Sequence, residues 1–357
     1  MQRISSMNNL LNDYISELAS GKSLPAPQIN NAASLLVDEV IPVESKFKFL
    51  KFLALKGETN EEFSAFVSAF RAMAQKPQLG DFPERAIDLC GTGGDGFGSF
   101  NISTFVSLVV AAGGVPVIKH GNRSISSKCG SADLLEALGI PLENESNQLQ
   151  NSLEHLNFCF LFAPHYHPAF KNIGPTRKAL AKEGIITVFN RLGPCLNPAN
   201  PSFQILGVYD PKYLDQMAYT LEENGGKSGW IVHGKILEGE KQKMDELTAC
   251  GPNIVKSYGL TPEHDSSTLY PDFWGQTTHS PKDLLGGTLH ENLNILESLI
   301  LGNGAKGLKS SIIINAASAF LIAGAVRSID EGVSKAQELL DHGGLMNWLK
   351  KAKRFFS

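Results

Sequence analysis

Apolar positions along the first 75 residues recur at helical spacing. Leu10, Leu11, Tyr14, Ile15 and Leu18 share one face, the period of a helix laid against a core. Residues 29–36 and 47–55 repeat the stripe. Asn60, Glu61 and Glu62 supply a cap and first-turn acids for a fourth helix. Its Phe63, Phe66 and Phe70 form an aromatic face that belongs in a core rather than around a cofactor. Residues 75–84, with Pro77, Gly80 and Pro83, break the pattern and read as a linker. The spacing therefore predicts a smaller all-α N-terminal domain over residues 1–78.

From residue 86 the period changes. Short apolar runs at 86–90, 115–119, 158–162, 203–207 and 229–233 alternate with helical stretches, among them 105–112 and 131–138. That alternation predicts an α/β domain over residues 84–357, with a mostly parallel central sheet flanked by helices. Ligands of such a sheet gather at the carboxyl ends of its strands. Residues 254–259 and the polar run to 279 carry no clear period. Residues 310–323 are nearly all apolar and so belong in the interior. Ser328 and Glu331 stand at capping-box spacing, and Gly343 should stop the helix they begin.

Composition adds limits rather than detail. The 357 residues are 42% hydrophobic and 19% charged, a globular balance with room for two domains. A formal net charge of −4 argues against a general nucleic-acid binder. Cys90, Cys129, Cys159, Cys195 and Cys250 are scattered, odd in number and without a C-x-x-C pair. Free thiols in a reduced, cytoplasmic setting are expected. Residues 1–20 show no signal-peptide core, and no apolar run approaches the ~18 residues of a membrane span.

The chemistry gathers between Asp88 and Asp133. Residues 88–96 read DLCGTGGDG, a strand running into a glycine turn, and Asn101, Ser103 or Thr104 can cap the helix that follows. Strand, glycine loop and helix N-terminus make an anion site. No acid stands between Asp95 and Asp133, whereas Lys119, Arg123 and Lys128 do, which suits a polyanion. Gly91, Gly93 and Gly96 match G-x-G-x-x-G, but the next strand ends in Lys119 rather than in the acid that would hold a ribose diol. A Walker loop is excluded, because no Gly-Lys-Ser/Thr closes the turn. Without further motifs, the stretch would be an ordinary glycine turn.

Further motifs follow: NIST at 101–104, KHGNR at 119–123, SSKCGSAD at 126–133, APHYHP at 163–168, PTR at 175–177, FNRLGP at 189–194, NPA at 197–199, and the acid pair Asp245 and Glu246. In this order and spacing they resemble the anthranilate phosphoribosyltransferase family over nearly the whole chain. The resemblance implies transfer of phosphoribosyl from 5-phosphoribosyl 1-diphosphate to the amine of anthranilate, with Mg²⁺, in tryptophan biosynthesis. It also implies a homodimer formed through the helical domain, which a segment near residues 166–190 would complete.

The resemblance implies roles as well. A leaving diphosphate needs a metal and backbone donors, and the main chain at Gly91, Gly94 and Asp95 is the natural cradle. Ser99, Asn101, Ile102, Ser103, Thr104 and Lys119 would also hold the donor. His120, Gly121, Asn122, Arg123, Ser127 and Ser131 continue that surface. Ser103, Asp245 and Glu246 would carry Mg²⁺, although two adjacent acids alone read as a solvated turn. Anthranilate's amine is already neutral near pH 7, so positioning outweighs a strong base. Arg177 would bind its carboxylate through a guanidinium fork, with Asn122 on the acceptor and His120 and His167 lining the pocket. Residues 180–187 lack an arginine that the family usually carries there, and Cys129 replaces a serine. Transfer to another aromatic acid, pyrimidine nucleoside phosphorolysis, and a silent nucleic-acid-binding paralogue are the alternatives.

Overall fold

A computed structural model describes residues 2–123, 128–237, 243–260 and 267–357. The N-terminal stripe forms α1 (Gln2–Ala19), α2 (Ala26–Val37), α3 (Val43–Lys56) and α4 (Asn60–Met73). The cap of α4 is Thr59, not Asn60. The Thr59 hydroxyl accepts from the Glu62 N–H at 3.2 Å, and the Glu62 carboxylate accepts from the Thr59 N–H at 2.9 Å. Thr59 is extended while Asn60 is already helical, so only Thr59 can turn its side chain back onto the first turn.

The sheet holds β1 (Ile87–Gly91), β2 (Val117–Gly121), β3 (Phe158–Phe162), β4 (Phe203–Gly207), β5 (Ser228–Lys235), β6 (Lys243–Met244), β7 (Asn253–Gly259) and β8 (Ser267–Leu269). Their order is β3-β2-β1-β4-β5-β7-β8, with β6 paired to β5. The first five are parallel, and β6, β7 and β8 add on antiparallel. The run at 254–259 that carried no readable period is thus an antiparallel strand against β5. Polar and apolar residues mix there because a long partner strand, not a repeat in sequence, holds it.

After α4 come α5 (Ile102–Ala112), α6 (Ser131–Ala137), α7 (Ser146–Leu156), α8 (Ala163–Tyr166), α9 (Gly174–Lys182), α10 (Leu214–Glu223), α11 (Leu289–Ile300), α12 (Lys306–Ile322), α13 (Ile329–Asp341) and α14 (Gly344–Phe356). One face of the sheet is covered by α5, α12, α13 and α14, which share one core with β1 and β2. The other face shares its core with α1 to α4 and α10 (Leu214–Glu223). That second core includes Ile173, Leu180, Val188 and Phe189 and runs on to Leu206 of β4 and Ile231 of β5. The stretch after α4 is anchored rather than loose: the Gln75 N–H donates to the Tyr166 carbonyl, and Leu79 and Phe82 are buried. Ser328 accepts from Glu331 N–H, but Glu331 reaches back to the N–H of Arg327, so the expected box is half formed. Gly343, at φ 77°, ends α13 in the left-handed conformation.

Candidate active site

The chain moves outward from β1 through β2 to β3, then returns to the other side of β1 as β4. Such a reversal opens a crevice at the carboxyl ends of the two strands it separates. Here those ends are Gly91 and Gly207, directly paired across β1 and β4. The loop carrying Asp245 and Glu246 lies over them. A Cβ at Gly91 would strike the Asp245 carboxylate, one at Gly207 would overlap the Asp245 backbone carbonyl, and one at Gly234 would crowd the Glu246 carbonyl. Three glycines on three neighbouring strands therefore make the room this acid pair occupies.

Beyond Gly91 the chain turns through Gly93 and Gly94, at φ 67° and 85°. A second segment clamps this loop from outside: Phe100 N–H donates to the Leu284 carbonyl at 2.8 Å, and Gly286 N–H donates to the Gly98 carbonyl at 3.0 Å. Ser99 forms a single antiparallel bridge with Leu285 there. A side chain at Gly286 would meet Phe100 Cα and the Ser99 carbonyl at 2.7 Å. Asn101 takes the first position of the α5 cap, yet its side chain does not cap. It donates to the Gly130 carbonyl at 3.1 Å, tying the glycine loop to the start of α6 (Ser131–Ala137). A remote residue does some of the capping instead: Ser103 N–H donates to the Glu246 carboxylate at 3.2 Å. Ile102 and Thr104 are buried in the same first turn.

Asp245 and Glu246 are not a solvated turn. Asp245 is buried, and one oxygen of Glu246 is enclosed without a partner. Burial first, and the nearby Asp95 charge second, push the Asp245 carboxyl up to about 7. Burial, then the charges of Asp245 and Asp95, push Glu246 upward as well. Gly93 N–H donates to Asp245 at 2.6 Å, which offsets only part of this. Crowded carboxylates short of positive charge are a place for a cation. The donors are all hard oxygens, which fits Mg²⁺. Among the described residues, no three His, Cys, Asp or Glu side chains converge closely enough to hold an ion by themselves. That agrees with Mg²⁺ sites, which usually complete their octahedron with water and substrate phosphate.

The cations of the acid-free stretch are not an open basic patch. Lys119 is buried, and its ammonium donates to the Leu89 carbonyl at 2.5 Å. It faces Asp88, whose carboxyl burial raises to about 6 and which also accepts from the Asn197 amide at 3.0 Å. Arg123 pairs with Asp133 and Glu136 of α6, each at 2.9 Å. Sequence distance hid these acids, because the helix folds back onto the loop. Gly121 lets Ser131 pack close, and the Ser131 hydroxyl donates to the Asn122 carbonyl at 3.2 Å. Ser127 lies outside the described residues. A cleft of about 490 Å³ opens beside Arg123, near Pro141, Phe162 and Phe356, but its Arg123 and Glu136 already pair with each other.

The helix that carries Arg177, α9 (Gly174–Lys182), packs on α3. Arg177 is half-buried, its guanidinium 5.7 Å from the Phe189 ring and 3.5 Å from the Phe189 carbonyl, with no carboxylate partner among the described residues. Residues 183–187 form a tight turn, held by Ile185 N–H on the Leu180 carbonyl and by Glu183 on Lys51 of α3 at 2.8 Å. His167 resolves toward packing: its Nε2 bonds the Leu196 carbonyl at 2.9 Å and its ring stacks on Phe170. His120 lies 5.3 Å from His167, and burial and that neighbour hold it neutral, pushed down to about 3. Asn122 is exposed, its side-chain oxygen bonded to the Arg123 N–H at 2.7 Å.

Comparison with known proteins decides the family. The family described as "Glycosyl transferase family, a/b domain" matches residues 83–345. An anthranilate phosphoribosyltransferase of Acetivibrio thermocellus is 38% identical over 349 residues, spanning 97% of this chain and 96% of its own. That of Methanobrevibacter smithii is 39% identical over 349 residues, spanning 96% and 98%. The chain belongs to the anthranilate phosphoribosyltransferase family. The Thermus thermophilus anthranilate phosphoribosyltransferase superposes with a TM-score of 0.85 at 36% identity, over 96% of this chain and 99% of that one. The Saccharomyces cerevisiae anthranilate phosphoribosyltransferase in complex with PRPP and Mg superposes at 0.80 with 26% identity, over 97% of each. In this anthranilate phosphoribosyltransferase fold, Gly207, Gly234 and Gly286 escaped sequence reasoning. Glycine at strand ends was the available signal for Gly207 and Gly234, but what fills the space comes from another segment of the chain.

Proposed function

We propose that the protein transfers the 5-phosphoribosyl group of 5-phosphoribosyl 1-diphosphate to the amine of anthranilate. The products are N-(5-phosphoribosyl)anthranilate and diphosphate, the second step of tryptophan biosynthesis from chorismate. The observation that carries this reading is the crowding of Asp95, Asp245 and Glu246 beside a glycine loop at the β1/β4 reversal. Ser103, Asp245 and Glu246 would hold Mg²⁺, which neutralises the departing diphosphate. Main-chain groups at Gly91, Gly94 and Asp95, with Ser99, Asn101 and Thr104, cradle the phosphates. Lys119 acts from beneath, as a buried charge that steadies Asp88 and the strand ends rather than as a direct phosphate ligand.

On the acceptor side, Arg177 takes the anthranilate carboxylate, for which it has no competing carboxylate among the described residues. Asn122 is free to turn its amide to the acceptor. The neutral His120 gives shape without charge. Helices 1–78 with residues 166–190 serve as one lobe and residues 84–357 as the other, with the reaction between them. No helix among the described residues is long and apolar enough to cross a membrane, and we place the protein as a homodimer in the cytoplasm, acting without nucleic acid. Loss of anthranilate fluorescence on mixing with donor and Mg²⁺ is the test. Fluorescence that stays constant, while another aromatic acid is consumed, would overturn the acceptor and keep the reaction class.

A further inference from the structure

α12 is a core helix, with Ile312, Ile313, Ile314, Ala316, Ala317 and Ala319 all buried. Asn315 sits among them, also buried. An amide in such a setting is unfavourable unless its bonds are met. Here two of its three bonds are met by one residue. The Asn315 amide donates to the Leu247 carbonyl at 2.7 Å and accepts from the Leu247 N–H at 3.3 Å. It also donates to the Ser311 carbonyl at 2.8 Å. One turn earlier, the Ser311 hydroxyl accepts from the Ala249 N–H at 2.9 Å. Asn315 thus acts as a strand partner for Leu247, fixing both peptide planes around it. One of those planes is the Glu246–Leu247 peptide, which sets the direction in which the Glu246 side chain leaves the main chain. Asn315 also shares a cavity of about 10 Å³ with Ser103, Asp245 and Glu246.

We propose that Asn315, assisted by Ser311, is the positioning residue of the metal-binding acid pair. It holds the loop so that Asp245 and Glu246 face the crevice instead of relaxing toward solvent. The assignment rests on the metal role of that pair given above. The test is calorimetric titration of Mn²⁺ into protein holding the phosphoribosyl donor, for the unsubstituted chain, Asn315→Ala and Ser311→Ala. Asn315→Ala should weaken Mn²⁺ at least tenfold and Ser311→Ala two- to fivefold, while the KM for anthranilate stays within twofold. If Asn315→Ala does not fold, Ser311→Ala alone decides. Mn²⁺ affinity within twofold of the parent in the folded variants would overturn the proposal. So would a parallel loss of anthranilate affinity and melting temperature, which marks general loosening. Absence of metal-dependent heat in the unsubstituted chain would instead overturn the metal role itself, and this assignment with it.

Discussion

On the function proposed above, the donor wall and the acceptor wall of the site are built differently. The donor wall is made by main chain: glycines at the ends of β1, β4 and β5 admit the Asp245–Glu246 loop, and Gly286 locks the turn before α5. The proposed acceptor wall rests on a side chain, Arg177, which lies half-exposed against Phe189. A wall of close backbone contacts has no slack, because interiors pack at crystal-like density. A wall made by one long side chain can lose it and keep its shape. The donor wall should therefore fail as a unit, and the acceptor wall should fail in affinity alone.

Gly207→Ala is the strongest way to break the contrast. Its Cβ would overlap the Asp245 carbonyl, so the acid loop must move. A misplacement of about 1 Å costs on the order of 10²-fold in rate. We expect at least that loss in kcat/KM, together with loss of metal-dependent donor binding by calorimetry. Retention of both would show that the loop has slack and that the two walls are alike.

Much of this was legible in sequence and part was not, for a definable reason. Most local signals were sound: of the predicted stripe, Leu11, Tyr14 and Leu18 are buried and Ile15 partly so, while Leu10 is exposed, and Phe158 to Phe162 is a strand. The glycine loop lies at strand ends as its position between strand and helix required. What failed were inferences about neighbours far along the chain. Arg123 looked free because its acids lie 10 and 13 residues on, and α6 brings them back. Asp245 and Glu246 looked solvated because the glycines that enclose them stand on other strands, Gly91 and Gly207 dozens of residues earlier. Nothing in residues 310–323 marked Asn315, whose partner Leu247 lies far back along the chain.

Arg177→Ala sharpens the other half of the comparison. Removing one partner of a buried charge pair typically costs 2–5 kcal/mol or more. Arg177 is only half-buried, so about 2 kcal/mol is expected, or roughly 30-fold in the KM for anthranilate. Donor binding and melting temperature should not change. An unchanged KM would remove Arg177 from the acceptor site.

A change of pH acts on the donor wall without mutation. Asp245 titrates near 3.8 when unfolded and near 7 when folded and metal-free. Below the lower value the carboxyl is protonated in both states and its contribution to the fold is complete. As pH rises toward 7 the fold keeps a proton that the unfolded chain has lost, so the metal-free protein loses stability across that window. A metal must displace the same proton. Because Glu246 is pushed upward too, Mn²⁺ affinity in the presence of donor should then fall by about tenfold or more per unit below pH 7, while anthranilate KM between pH 6 and 8 stays flat. A flat metal profile would mean that the pair is already ionised.

The smallest effect expected belongs to Cys129, where the loop departs from the family serine. The thiol is buried, and the Asn101 amide approaches its sulfur at 3.6 Å while donating to the Gly130 carbonyl. Replacing sulfur by the smaller oxygen in Cys129→Ser leaves a slight gap and offers Asn101 a better acceptor. The two terms oppose each other, each on the order of 1 kcal/mol. Melting temperature should therefore shift by only a few degrees, and kcat/KM for the donor should stay within about twofold, since the Asn101 contact to Gly130 survives. A tenfold loss in donor kcat/KM with the fold intact would mean that the thiol itself shapes the phosphate cradle. The donor wall would then depend on a side chain, as the acceptor wall does, and the distinction between the two would lose its basis.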